Sequence, residues 1–159
     1  MNPPALYLDH AATTPVRTEV REAMLPYLGE ALFGNPSSSH GFGRAVRAGV
    51  ERARREVAEA LGALPEQVVF TSGGTEANNL AVLGASLRAR SRGRPMLAAV
   101  AATEHKAVLA AAHAVRHLGG QEALLPVDTE GVLHLDSLDR VLAAHASIVS
   151  VMPPVCRKM

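Results

Sequence analysis

The sequence predicts an α/β fold, a mainly parallel sheet with flanking helices, from three observations. Apolar runs of strand length alternate with amphipathic helical stretches from residue 67 onward. Glycines close the helices, as Gly62 and the pair Gly119-Gly120 do. The polar loops rich in Ser, Thr, Gly and His follow strand-like segments, where open parallel sheets collect their ligand-binding groups.

The elements follow in order. Leu6-Tyr7-Leu8 leads into the turn-rich Asp9-His10-Ala11-Ala12-Thr13-Thr14-Pro15, whose Thr-Pro end predicts a helix start. Val20, Met24, Leu25 and Leu28 carry that first helix, and Phe33-Gly34-Asn35-Pro36-Ser37-Ser38-Ser39-His40 breaks it. Val46, Val50, Ala53, Val57, Ala60 and Leu61 place a second helix over 43–61 with Gly62 as its C-cap. Its opposite face carries Arg44, Arg47, Arg52, Arg54 and Arg55 interleaved with Glu51, Glu56 and Glu59, the pattern of a solvated face rather than a nucleic-acid patch. Strands are then predicted over 67–71, 96–101, 122–126 and 147–152, with helices over 76–90, 106–118 and 135–143 between them.

Composition narrows the function classes. In 159 residues, 48% hydrophobic and 19% charged content is ordinary for a globular domain, and a net charge of +1 supplies no field for nucleic acid. No apolar run reaches the roughly 20 residues that span a bilayer, and Met1-Asn2-Pro3-Pro4 lacks the features of a secretory leader. The expectation is a cytoplasmic protein without nucleic-acid or membrane partners. One cysteine, Cys156, leaves no internal disulfide and no multi-thiolate metal site. The only lysines are Lys106 and Lys158.

Two loops carry the chemistry. In Val68-Val69-Phe70-Thr71-Ser72-Gly73-Gly74-Thr75-Glu76 a strand-like run passes through two glycines into a helix. Such a turn lets the backbone bend sharply and approach a ligand, with a Thr hydroxyl and free helix N–H groups aimed at an anion; an ordinary N-cap gives the same local pattern. Thr103-Glu104-His105 follows the next strand and offers an imidazole that can stack on a flat ring, handle a proton or cap a helix. His113 and His117, four apart, have the spacing of two metal ligands but no third ligand in the adjacent sequence, so no metal site is assigned. Asp128, Glu130 and Asp136 read as turn and capping residues.

Four segments together resemble the pyridoxal-phosphate-dependent cysteine desulfurases of the class V aminotransferase group. They are Tyr7 to Pro15, Phe33 to His40, Phe70 to Asn79, and Thr103-Glu104-His105-Lys106-Ala107-Val108-Leu109. The resemblance is closer than to kynureninase or phosphoserine aminotransferase relatives; another class V aminotransferase or a selenocysteine lyase is the alternative within the group. It implies a fold-type-I large domain in which pyridoxal 5'-phosphate is held through its phosphate at Gly74 and Thr75. His105 would lie over the pyridine ring as the stacking and acid-base residue. Ala12 and Thr13 would face the substrate side, and Asn35 and His40 the active site and dimer interface. The implied organisation is an N-terminal segment with its substrate-side loop over 1–15, the front of the cofactor domain over 16–152, and an aberrant tail over 153–159.

For the family, the resemblance implies removal of sulfur from L-cysteine to leave alanine, and passage of the sulfur to an acceptor or scaffold protein for iron-sulfur cluster assembly or tRNA thiolation, by a homodimer. That chemistry needs a lysine amine for the Schiff base, a carboxylate at the pyridine nitrogen and a cysteine thiolate. Neither Lys106, which adjoins His105, nor Lys158 is assigned as the Schiff-base lysine, and Cys156 in the tail is not assigned as the nucleophile. The expectation is a truncated chain, catalytically incomplete alone and without covalent cofactor linkage. The alternative is a non-catalytic interaction or dimerisation fragment.

Overall fold

A computed structural model describes residues 6–10 and 12–152. Cys156 and Lys158 lie outside the described residues. The chain divides between Val69 and Phe70 into two compact units.

The first unit is helical. Helix α1 (Thr18–Met24) runs into a 3-10 turn, Leu25–Tyr27. The start predicted at Thr14-Pro15 is therefore early: α1 has Arg17 at its N-cap with no side-chain bond there. None of its residues is buried, so packing does not extend it toward Pro15. Helix α2 (Gly41–Leu61) ends at Gly62 in the left-handed conformation, φ 63°, where a side chain is disfavoured. Its solvated face behaves as the charge pattern predicts, with Arg54–Glu51 at 3.1 Å and Arg52–Glu56 at 3.9 Å. Exposed pairs of this kind contribute a few tenths of a kcal/mol. Other arginines hold loops: Arg47 Nε donates to the Pro36 carbonyl at 2.6 Å, Arg44 to that of Ser39 and Arg54 to that of Val68.

The strand predicted over 67–71 does not form. Pro65–Gln67 is a 3-10 turn and residues 68–71 have no regular structure. Val68, Val69 and Phe70 favour strands intrinsically, but a strand exists only when paired, and the sheet of the described residues contains no partner for them.

The second unit is the α/β layer the sequence predicts. Helix α3 (Gly74–Ser91) leads to β1 (Leu97–Ala101), then α4 (Lys106–His117), β2 (Gln121–Leu125), α5 (Leu135–Ala143) and β3 (Ile148–Ser150). The three strands are all parallel in the order β2-β1-β3, with Ala99 opposite Ala123 on one side and Val149 on the other. The central β1 reads Leu-Ala-Ala-Val-Ala and is buried throughout, as a parallel strand covered on both faces must be. Alternation sorts its side chains. Ala98 and Val100 pack with Val82 of α3 and with Val108, Ala111, Ala112 and Val115 of α4; Leu97 and Ala99 pack with Leu125 and with Val141 of α5. Asp128 builds the turn before α5, its Oδ1 accepting from Glu130 N at 2.8 Å and Val132 N at 2.9 Å, which is the turn role expected of it.

Candidate functional site

The direction of α3 and α4 decides which ends come together. Arg90, near the end of α3, donates to the Leu118 carbonyl at the end of α4. Ser86 Oγ lies 3.2 Å from Ser147 Oγ, which precedes β3. The C-terminal ends of both helices are therefore at the N-terminal edge of the strands. Both helices run antiparallel to the sheet, and their N-termini open at its carboxyl edge, where such sheets bind ligands.

Gly74 and Thr75 are the first two residues of α3, and His105 is the N-cap of α4. The first helical bond of α3 runs from Ala77 N to the Gly73 carbonyl at 3.1 Å, so the N–H groups of Gly74, Thr75 and Glu76 precede the hydrogen-bonded ladder. The Thr75 hydroxyl makes no hydrogen bond among the described residues. An added Cβ at either Gly73 or Gly74 would meet no atom within 4 Å. The chain bends at Ser72 and Gly73 as expected, but without a left-handed residue: Gly73 is extended, at φ 165° and ψ −179°, and Gly74 is helical. Neither backbone conformation nor internal packing demands glycine.

Glu76, part of the two-glycine motif but given no role by it, closes the loop. Its Oε2 accepts from Ser72 N and from Ser72 Oγ, both at 2.7 Å, which closes the turn into α3. The Ser72 hydroxyl, then the Ser72 N–H, hold the Glu76 carboxyl below its ordinary range. Ser72 lies one residue ahead of the Gly73 N-cap and four before Glu76, so the pair is one residue longer than a capping box and carries no sequence signature of it.

On the neighbouring loop, Ala107 N–H donates to His105 Nδ1 at 3.1 Å. In the neutral ring this bond puts the remaining proton on Nε2 and fixes the plane of the imidazole. Glu104 braces the loop: Oε1 accepts from Oγ of Ser150, the last residue of β3, at 2.7 Å, and Oε2 from His105 N at 3.3 Å. Nothing in the sequence pairs Glu104 with Ser150, 46 residues on.

The remaining predicted residues lie in the first unit. Ala12 N and Thr13 N both donate to the Asp9 carbonyl, at 3.1 and 3.3 Å, in a turn. Asn35 Oδ1 accepts from Ser37 N at 2.8 Å, and His40 Nδ1 from Gly43 N at 3.3 Å as the N-cap of α2. That unit also has an apolar depression of about 460 Å³ lined by Val20, Ala23, Met24, Tyr27 and Leu28. Its one charged lining residue, Glu19, has the wrong sign for a phosphate.

Residues 6–155 match the model of the aminotransferase class-V family. The chain belongs to that family. It is 45% identical over 147 residues to the cysteine desulfurase IscS of Dictyoglomus turgidum, covering 92% of this chain and 36% of that relative. Among solved structures, a NifS-like protein superposes with a TM-score of 0.74 at 34% identity, over 84% of this chain and 36% of the other. SspA in complex with cysteine superposes with a TM-score of 0.72 at 30% identity, over 93% of this chain and 39% of the other. This class-V chain thus spans about a third of the length of the curated relative and of these structures. No helix of the described residues is long and apolar enough to cross a membrane.

The residues at the α3 and α4 N-termini suit pyridoxal phosphate chemically. Three N–H groups and a hydroxyl at the positive end of an 18-residue helix match a phosphate, and a planar imidazole stands on the adjacent loop. The acidic side chain closest in sequence, Glu76, has Oε2 occupied by Ser72.

Proposed function

We propose that this chain supplies the phosphate-binding and ring-facing side of a cysteine desulfurase site. The N–H groups of the first turn of α3 and the Thr75 hydroxyl hold the phosphate of pyridoxal phosphate. His105 lies over the ring, its plane set by the bond from Ala107 N and its loop braced by Glu104. When bound, the cofactor supplies an electron sink for chemistry at the α-carbon of an amino acid. The substrate proposed is L-cysteine, with its sulfur passing to an acceptor or scaffold protein, and the working assembly is a homodimer. Ala12, Thr13, Asn35 and His40 are proposed on the substrate side or the dimer interface. Lys106 adjoins His105 and is not assigned as the Schiff-base lysine, and the chain alone is proposed to bind cofactor without covalent linkage and without turning over cysteine.

The observation that carries this reading is the opening of the α3 and α4 N-termini at one edge of the parallel sheet. Its test compares pyridoxal phosphate with pyridoxal, which lacks the phosphate, in binding titrations of the full chain. A hydrogen bond to a charged phosphate contributes about 1.5–3 kcal/mol, so Thr75→Ala should weaken pyridoxal phosphate at least about tenfold and leave pyridoxal unchanged. Equal affinity of Thr75→Ala and the parent chain for pyridoxal phosphate sinks the assignment.

A further inference from the structure

We infer that His113 and His117 of α4 form an edge site for a borderline divalent transition-metal ion, with Glu122 of β2 orienting His113. The two imidazoles stand one helical turn apart with ring centroids 5.4 Å apart and planes at 79°. Among the described residues β2 pairs only with β1, so this flank lies at the sheet's edge. The fold supplies a group that the local sequence did not reveal. His113 Nδ1 lies 3.2 Å from Glu122 Oε2, and the Glu122 side chain is only 18% exposed while that of His113 is 56% exposed.

With Nδ1–H donating to the carboxylate, the His113 Nε2 lone pair is left for a metal, the relay by which carboxylates orient histidine ligands. The Arg116 guanidinium, 3.9 Å from the same oxygen, is a longer ionic partner of Glu122. The His117 ring packs edge-on against that of His113 and makes no side-chain hydrogen bond among the described residues. No three His, Cys, Asp or Glu side chains converge there on one ion among the described residues, so Glu122 acts behind His113 and water fills the remaining positions. Two imidazoles and water suit nickel, copper or zinc rather than magnesium or calcium, which require oxygen ligands.

Titrating the full chain with nickel chloride by calorimetry tests this. One ion per chain is expected, with affinity at least about tenfold lower in His113→Ala and in His117→Ala, and unchanged in His134→Ala. Glu122→Gln should lose about 10–100-fold. Both histidines are exposed, and thermal melts of each variant check that the fold is kept. Parent-like nickel affinity in the double variant His113→Ala/His117→Ala overturns the site; parent-like affinity in Glu122→Gln overturns the role given to Glu122.

Discussion

Glu76 illustrates how a single exposed carboxylate can fix the geometry of a binding loop. It receives both the N–H and the hydroxyl of Ser72, and its carboxyl is held below the ordinary value, the Ser72 hydroxyl contributing most. A carboxyl whose folded value lies below its unfolded one stabilises the fold fully above the unfolded value, and that stabilisation is lost as pH falls through the folded value. The turn into α3 should therefore loosen only on the acid side of the ordinary carboxylate range, about pH 4.3. Side-chain NMR titration should place the Glu76 midpoint below the ordinary glutamate value, and Ser72→Ala should raise it. A midpoint unmoved by Ser72→Ala would contradict this account. The glycines show where sequence reading overreached. The chain does bend at Ser72 and Gly73, but through ordinary extended and helical backbone, and open space lies beside the Cα atoms of Gly73 and Gly74.

The cap that His105 makes and the stacking proposed for it can be separated by substitution, because capping α4 needs only an acceptor near Ala107 N whereas stacking needs a ring. Asparagine caps helices well and has no ring. His105→Ala should cost about 0.5–2 kcal/mol of stability by losing the cap. His105→Asn should keep most of that stability yet weaken pyridoxal phosphate as much as His105→Ala does. Thermal melts and binding titrations of both variants check this; full affinity in His105→Asn would remove the ring from the site. Helices and strands beyond residue 90 were legible because their apolar periodicity coincides with a real core: the helix expected over 106–118 forms and buries Val108, Ala111, Ala112 and Val115 at helical spacing. Where packing is thin, local signals misled. The Thr14-Pro15 start sits ahead of α1, which buries nothing, and the β-prone Val68-Val69-Phe70 run finds no strand to pair with. The link from Glu104 to Ser150 was illegible, since only the parallel pairing of β1 with β3 brings the loop after β1 beside the end of β3.

The two units differ in how much they bury. Through Val69 the described residues contain only Gly43 and Ala58 as buried positions, whereas the second unit has a core on both faces of β1. Local opening free energy follows buried contact, so hydrogen exchange should be slowest in β1 and α4 and fast throughout α1 and most of α2. Uniform protection across residues 18–61 and 97–117 would contradict that division. The class-V assignment rests on a match over residues 6–155, and the cofactor site proposed within it rests on the shared edge of α3 and α4. The most direct test is to titrate the isotope-labelled full chain with pyridoxal phosphate and follow backbone amide NMR signals. The account predicts the largest saturable shifts at Gly74, Thr75 and His105, reproduced at the first two by inorganic phosphate at higher concentration. Shifts confined to other residues, with these three unmoved, would contradict it.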